Sequence, residues 1–254
     1  MLSKVGSYGF LIEPFHCDFS HNVFLGRLGN ILLNAADFHS DERGYGMSYL
    51  NKIHRTWVLS RLVIEMTEMP VAYERITVDT WVENVMKSFT SRNYSVTGQD
   101  GRIYGYGRSI WAMIDTVSRQ PVDITSVRDG LIMRYVEEGK QCPIEPSSRV
   151  RMGAGAQLAR TVDTNYSDVD VNGHINSVKY IEHMLDLWDL DWYGTYGIKR
   201  LEIAYVAEAH CGDKLGFMRE ETADGEFCVR IVKTIPDTEK TVEVCRCKII
   251  FIKK

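Results

Sequence analysis

The sequence has few features of a membrane-bound, disordered or nucleic-acid-binding protein. Among its 254 residues, no apolar run approaches the roughly 20 residues that cross a bilayer. Six prolines are too few for a linker-rich or disordered chain. The net charge of −4 provides no general basic field that would attract nucleic acid. The remaining composition, 44% apolar and 25% charged, predicts a globular protein of one large or two small domains, with neither a membrane nor a nucleic acid as partner.

Cysteine is sparse and does not occur in metal-binding or redox patterns. The six cysteines are scattered and form no CxxC pair, which argues against a zinc site or a redox motif. We therefore expect no metal and no cofactor. Residues 1–6 do not lead into a long apolar core with a cleavage site, and the sequence has no Arg- and Ser-rich transit peptide. These features predict a protein with free thiols in a reducing cytoplasm.

A weak internal repeat organises the chain. A shift of 139 positions places residues 61–115 on residues 200–254 without a gap, and the agreement lies in the apolar pattern because sequence identity is low. The repeat predicts two tandem units of one fold. We place the first unit at residues 1–125, a linker at residues 126–156 and the second unit at residues 157–254.

Each unit is predicted to contain one helix followed by four strands. Apolar residues three and four apart predict helices over roughly Leu28–Glu42 and Ser177–Trp188, with Ser177 as a helix cap, and a short helix around Val127–Glu138 in the linker. The predicted strands are Thr56–Met66, Arg75–Val85, Phe89–Thr97 and Arg102–Asp115, then Lys199–Val206, Lys214–Glu221, Phe227–Thr234 and Lys240–Lys254. This order predicts an α+β fold in which an antiparallel sheet wraps a helix.

A dense polar cluster lies directly before the second predicted helix. Asp170, Asn172 and His174 lie within the segment 168–177, and Asn172-Gly173 is a strong turn signal. Asp and Asn are favoured in turns and at helix caps, so this composition permits either a structural turn or a catalytic site.

The repeat offers an internal comparison for this cluster. A shift of about 147, which aligns the two predicted helices, places Val23, Leu25 and Arg27 opposite the three polar residues. We therefore expect the first unit to build the same turn without them. A partner for the cluster is Glu208, which ends a segment of small and apolar residues and has Met69 as its counterpart. A carboxylate in such surroundings suits a general acid or base, and an exposed edge glutamate is the alternative.

The segment Asp170–Ile181 resembles the D-x-N-x-H-x-N-N-x-K-Y stretch of the acyl-acyl carrier protein thioesterases, with Ser177 where the family often has a second Asn. In the first half, Trp57–Arg61, Val78–Val82 and Ser109–Met113 resemble strands of that family in the same order. The resemblance covers nearly the whole chain. It implies a double hot dog, that is, two tandem units in which an antiparallel sheet wraps a long helix.

The resemblance also implies an activity and a site. The activity is hydrolysis of fatty acyl-acyl carrier protein to free fatty acid, which ends chain elongation, and the partner is the acyl-loaded carrier protein. The catalytic network is Asp170, Asn172, His174 and Glu208, and the first unit binds the acyl chain. Many plant members have a cysteine after the glutamate, so Ala209 argues against a cysteine nucleophile here.

A mechanism follows as a hypothesis. A water molecule is deprotonated by Glu208, His174 or both, while Asp170 orients His174, holds the water or attacks directly. Asn172 positions water or substrate, and N–H groups at the start of the second helix stabilise the oxyanion.

Three alternatives stay open at this stage. They are a hot-dog thioesterase acting on coenzyme A esters, a dehydratase acting on carrier-bound hydroxyacyl chains, and a non-catalytic acyl-binding protein. Because duplication already supplies paired units, the protein is expected to be a monomer or a homodimer.

Overall fold

The computed structural model describes residues 2–235, 238 and 240–254. Its contacts divide the chain into two units, the first ending at Pro146 and the second beginning at Ser147. The helices of the first unit are α1 (Leu25–Glu42) and α2 (Met47–Leu50), and its strands are β1 (Val5–Leu11), β2 (Arg55–Met66), β3 (Arg75–Met86), β4 (Phe89–Gly98) and β5 (Ile103–Asp115). The helices of the second unit are α3 (Ser177–Leu185) and α4 (Leu190–Thr195), and its strands are β6 (Gln157–Asp163), β7 (Tyr196–Tyr205), β8 (Lys214–Ala223), β9 (Glu226–Thr234) and β10 (Thr241–Lys253). Short 3₁₀ turns lie at Pro14–His16, Asn51–Ile53, Ile124–Tyr135 and Tyr166–Asp168.

The two units share one strand order. In the first unit the order is β1-β3-β4-β5-β2, and in the second it is β6-β8-β9-β10-β7, with antiparallel neighbours throughout. A bulge at Ser60 in β2 recurs at Lys199 in β7, which confirms the shift of 139 for these strands. For β5 and β10 the shift is 140, because Ile110 pairs with Arg61 and Ile250 pairs with Arg200, and these two arginines are 139 residues apart. The predicted gap-free match is therefore wrong by one residue.

All eight predicted strands form, within a few residues of their predicted ends, but β1 and β6 were not predicted. Both open their units and pair on one side only, β1 with β3 and β6 with β8. Edge strands need no continuous apolar run, and β6 is exposed or half-buried along its length. Their sequences therefore carry little of the apolar alternation by which strands are recognised.

The helices differ from prediction mainly at their ends. Helix α1 begins three residues earlier than predicted, at Leu25, and ends at Glu42. Helix α3 ends at Leu185, so the predicted long helix of the second unit is only nine residues long. Its cap is Asn176 and not Ser177, since the Asn176 side chain accepts the Val178 N–H at 3.0 Å.

The core of the first unit lies between α1 and its sheet. The face of α1 that contacts β1 and β3 is fully buried. Its apolar members are Leu25, Leu28, Ile31, Leu32, Ala35 and Ala36. Burial of one such leucine stabilises the fold by about 1.5–3 kcal/mol. In the second unit, Val178, Ile181 and Met184 form the corresponding face of α3.

Much of the predicted linker belongs to the first unit. The segment Ile124–Tyr135 packs in a core cluster with Tyr45, Leu50 and Val82, and Ile144 packs in another with Trp81. The predicted helix here is interrupted, because residues 128–130 have positive φ angles. The chain therefore crosses from one unit to the other near Pro146, ten residues before the predicted boundary.

A histidine on the buried face of α1 is held uncharged. His39 is fully buried; its Nε2 donates to the Lys4 carbonyl at 3.0 Å, and the Tyr45 hydroxyl donates to its Nδ1 at 3.2 Å. This pairing uses one ring donor and one ring acceptor, as in a neutral imidazole. Burial, reinforced by the nearby Arg92 cation, lowers the pKa of His39 to about 2.

Candidate active site

The predicted site residues lie on a tight turn and on the loop that it contacts. Val169 and Ile175 form an antiparallel bridge, and between them the Asp170 N–H donates to the His174 carbonyl at 2.8 Å. The Gly173 N–H donates to the Asp170 carbonyl at 3.0 Å, and Gly173 has a φ of 80°. Glycine adopts this left-handed conformation without steric cost, which explains the Asn-Gly pair. The turn leads directly into α3.

The Asp170 carboxylate is part of the turn. Its Oδ1 accepts the Asn172 N–H at 2.8 Å and the His174 N–H at 3.4 Å, which is an Asx-turn. The Asn172 side chain is exposed at the tip, and His174 is half-buried. Asp170 therefore holds the backbone of the turn that carries His174, and its Oδ2 takes no part in these two bonds.

The first unit builds the same turn with the same kind of residue. Asp18 Oδ1 accepts the N–H groups of Ser20 and Asn22 at 2.8 and 3.0 Å. The Asp18 N–H donates to the Asn22 carbonyl, and His21 has a positive φ like Gly173.

The equivalent residues are thus 152 apart, and the expected alignment at 147 is wrong. Asp18, Ser20 and Asn22 stand opposite Asp170, Asn172 and His174, in place of the predicted Val23, Leu25 and Arg27. The turn needs its aspartate in both units. What distinguishes the second unit is the histidine.

A second difference between the units is the carboxylate that faces this histidine. His174 Nε2 lies 3.4 Å from Glu208 Oε2, and both side chains are partly exposed, at 27% and 36%. The Ile175 N–H donates to the Ala209 carbonyl, just as the Val23 N–H donates to the Pro70 carbonyl. Glu208 is therefore equivalent to Met69, as predicted. The structure brings His174 and Glu208 together, within reach of one bridging proton or water.

No cysteine directly follows Glu208 in the sequence. Ala209, which stands where many plant relatives are expected to carry cysteine, is fully buried. Cys211 has a free, exposed thiol two residues further along. The six thiols of the chain are all free.

The amides at the start of α3 are largely occupied. The Asn176 N–H donates to the Asp168 carbonyl, the Val178 N–H to the Asn176 side chain, and the Lys179 N–H to the Asn176 carbonyl. These three groups are therefore unsuitable as the expected oxyanion donors. The side chain of Asn172, on the same turn, is exposed.

Three further residues near the turn escaped prediction. Asp168 is buried; it accepts the Asn165 N–H at 2.8 Å and lies 3.0 Å from His183 Nε2. This pair ties the chain before the turn to α3. The His210 ring packs edge-to-face against the His174 ring, with centroids 5.0 Å apart. The signal in the sequence was the spacing of His210, two residues after Glu208.

Within the part of the chain that the structure describes, no three His, Cys, Asp or Glu side chains are grouped to hold a metal ion. In the same residues, no helix combines the length and the apolar character needed to span a membrane.

Two family models match most of the chain. The acyl-ACP thioesterase N-terminal domain matches residues 5–129, and the acyl-ACP thioesterase C-terminal domain matches residues 154–252. The chain belongs to the acyl-ACP thioesterase family. The family and the double hot-dog fold predicted from the sequence are thereby confirmed, and the turn that carries His174 lies in the C-terminal domain of this family.

Solved structures and curated relatives agree with this assignment. An acyl-ACP thioesterase from Bacteroides thetaiotaomicron is 46% identical, with 98% of each chain covered and a TM-score of 0.89. The 12:0-ACP thioesterase from Umbellularia californica is 17% identical and shares the fold, with a TM-score of 0.84 over 100% of this chain and 99% of that one. A chloroplastic acyl-[acyl-carrier-protein] hydrolase of Cuphea viscosissima is 27% identical in the matched region. That region covers 60% of this chain and 38% of the length of the relative.

Proposed function

We propose that this protein hydrolyses the thioester between a fatty acyl chain and acyl carrier protein, and so releases free fatty acid. The observation that carries the proposal is the His174–Glu208 pair, with 3.4 Å between Nε2 and Oε2. Family membership supports the reaction, and the repeat supports the location, because Asn22 and Met69 occupy the same positions in the first unit. Neither of those residues transfers protons.

The pair can act as acceptor and donor of the proton that hydrolysis moves. A water oxygen attacks the thioester carbonyl carbon, and its proton passes to the His174–Glu208 pair. The C–S bond then breaks, and the pair returns the proton to the departing thiolate of the carrier. General acid–base catalysis of this kind contributes about 10²–10⁴-fold to the rate.

Asp170 and Asn172 have supporting roles in this scheme. Asp170 fixes the turn that carries His174, since its Oδ1 accepts the backbone N–H groups of Asn172 and His174. The Asn172 amide, exposed at the tip of the turn, donates to the carbonyl oxygen as negative charge develops there. A single donor of this type is worth about 3–4 kcal/mol where it has been measured.

The carrier, the cell compartment and the oligomeric state are also proposals. The substrate is the acyl-loaded carrier protein, the acyl chain binds the first unit, and the enzyme works in the cytoplasm as a monomer or homodimer. The names of the relatives support acyl carrier protein as the carrier. The proposed cytoplasmic location differs from that of the plant relatives, which are chloroplastic.

The test is hydrolysis of a panel of acyl carrier protein thioesters and of the matching coenzyme A thioesters. We expect turnover of carrier substrates, and a loss of at least about 10²-fold in His174→Ala and Glu208→Ala. The repeat supplies matched controls, Asn22→Ala and Met69→Ala, which are expected to keep the wild-type rate.

Four outcomes would contradict the proposal. Wild-type turnover in both site variants would refute the site. Preference for coenzyme A esters would favour the hydrolase of that class, and tight acyl binding without turnover would favour a binding protein. Loss or addition of water on a hydroxyacyl substrate would indicate a dehydratase.

A further inference from the structure

The ring of His210 lies against the ring of His174. The two centroids are 5.0 Å apart and the ring planes meet at 69°, an edge-to-face arrangement. We propose that His210 is a positioning residue whose ring holds the His174 imidazole in the orientation that faces Glu208. The inference rests on the proposed function, in which that orientation matters for catalysis.

The backbone of His210 is fixed on both sides. Its N–H donates to Asp213 Oδ2 at 2.9 Å, and its carbonyl accepts the Thr164 hydroxyl at 2.8 Å. Thr164 is 3% exposed, so the second bond anchors the loop to the interior of the unit. Although the His210 side chain is on the surface, the peptide that carries it is therefore held in place.

The same loop fixes Glu208 relative to His210. The Lys233 ammonium donates to the Glu208 carbonyl at 2.8 Å and to Asp213 Oδ2 at 3.2 Å. Oδ2 of Asp213 therefore accepts both the His210 N–H and the lysine. These bonds fix the spacing between the carboxylate and the second ring, and His174 contacts both.

The repeat indicates that this ring contact belongs to the site and is not part of the fold. With the 139-residue shift that relates Glu208 to Met69, His210 corresponds to Val71. With the 152-residue shift that relates the two turns, His174 corresponds to Asn22. The first unit forms its turn and loop without either ring, and there Asn22 and Val71 form an antiparallel backbone bridge. The two imidazoles thus occur together only in the unit that has the carboxylate.

A ring contact predicts a different response from a proton relay. Phenylalanine preserves an edge-to-face contact but has no nitrogen that could carry a proton, whereas alanine removes the contact. If His210 acts by positioning, His210→Phe keeps the function and His210→Ala loses it. If His210 carries protons, the two variants are equally impaired.

The kinetic experiment measures kcat and KM for an acyl carrier protein thioester. We expect His210→Ala to lower kcat by roughly three- to tenfold, the rate equivalent of an edge-to-face contact, with KM within twofold of the wild type. His210→Phe should restore kcat to within about twofold. Val71→Ala is the matched control, with wild-type kcat.

Two kinetic results would overturn the proposal. Wild-type kcat in His210→Ala would show that the ring is not needed. Equal loss in His210→Ala and His210→Phe would assign the role to the ring nitrogens and not to the contact.

A spectroscopic experiment reads the contact without any activity. The chain has seven histidines, so ¹³Cε1-labelled histidine gives a small set of ring signals, and His174→Asn identifies that of His174. We expect this signal to shift in His210→Ala, because the neighbouring ring current is lost, and to shift less in His210→Phe.

An unchanged His174 signal in His210→Ala would refute the contact itself. This readout also separates two failures. If the wild type does not hydrolyse the carrier substrate, the proposed function fails, yet the signal still decides whether His210 positions His174.

Discussion

Replacement of Asp170 by alanine and by asparagine separates its turn-forming role from a direct part in the reaction. Its Oδ1 accepts two backbone N–H groups, and Asp18 makes the same two bonds in the first unit. The duplicated turn therefore provides a control inside one protein, with the same bonds but with Asn22 and Met69 at the positions of His174 and Glu208. Asparagine retains the Oδ1 acceptor, whereas alanine removes it.

The distances set the expected losses of stability. At Asp18 the two bonds measure 2.8 and 3.0 Å, whereas at Asp170 they measure 2.8 and 3.4 Å. A side-chain oxygen that caps backbone N–H groups contributes about 0.5–2 kcal/mol, and the longer bond is the weaker one. We expect Asp18→Ala to lower the free energy of unfolding by about 2 kcal/mol and Asp170→Ala by about 1 kcal/mol.

The assay combines urea unfolding with hydrolysis of one acyl carrier protein thioester. Asp170→Ala should lose most of the rate because the turn that holds His174 loosens, while Asp170→Asn should keep the rate within about tenfold. Asp18→Ala and Asp18→Asn should keep the wild-type rate. A purely turn-forming role for Asp170 is refuted if Asp170→Asn is as inactive as Asp170→Ala while remaining as stable as the wild type, since the charge itself would then take part.

Three further predictions follow from the structure. His39 is neutral in the fold with a pKa of about 2, against 6.5 ordinarily. Its contribution to stability is therefore complete above about pH 6.5 and is lost as the pH falls from there toward about 2, by about 2 kcal/mol at pH 5. In urea unfolding, the difference between the free energies of unfolding at pH 7 and pH 5 should be smaller in His39→Gln than in the wild type. An equal difference in the two proteins would contradict this. Gly173→Ala should lower the free energy of unfolding by about 1–2 kcal/mol, because Gly173 has a φ of 80°. The variant should still fold, since His21 has a φ of 63° at the equivalent position. Thermal unfolding distinguishes this result from loss of the fold. Single-turnover hydrolysis in H₂¹⁸O should label the released fatty acid, whereas an unlabelled fatty acid with ¹⁸O in the Asp170 carboxylate would make Asp170 the nucleophile.

The fold was predictable from the sequence wherever burial imposes a regular spacing of apolar residues. The strands that line the interior are long and rich in β-branched and aromatic residues, so their positions follow from composition and alternation. The edge strands β1 and β6 lack that constraint on one side and were missed. The linker was predicted too long because Ile124, Ile132 and Ile144, which pack in the core, are separated by polar residues and an irregular backbone.

The location of the site was predictable, but its comparison with the first unit was not. When the two helices are aligned by their apolar faces, the sequence shift between the units is fixed only to within about one helical turn. The lengths do not help, because α1 has 18 residues and α3 has 9. The hydrogen bonds of Asp18 and Asp170 fix the equivalence instead. A carboxylate in an Asx-turn looks the same in the sequence as a catalytic carboxylate, so only the bonds distinguish the two uses.

The contact of His210 with His174 depends on the shape of the loop after β7. That shape is set by Lys233 and Asp213, which lie 20 residues apart in sequence. Such long-range pairs leave no local pattern, so the sequence around His210 indicates it only by its position two residues after Glu208.

A catalytic site confined to the second unit is tested most directly by comparing His174→Ala with Asn22→Ala in hydrolysis of one acyl carrier protein thioester, with both proteins shown to be folded. The two substitutions remove equivalent side chains from the two copies of the same turn. We expect a loss of at least about 10²-fold in kcat/KM for His174→Ala and no loss for Asn22→Ala. Equal rates for the two variants, whether both active or both inactive, would contradict a site confined to the second unit.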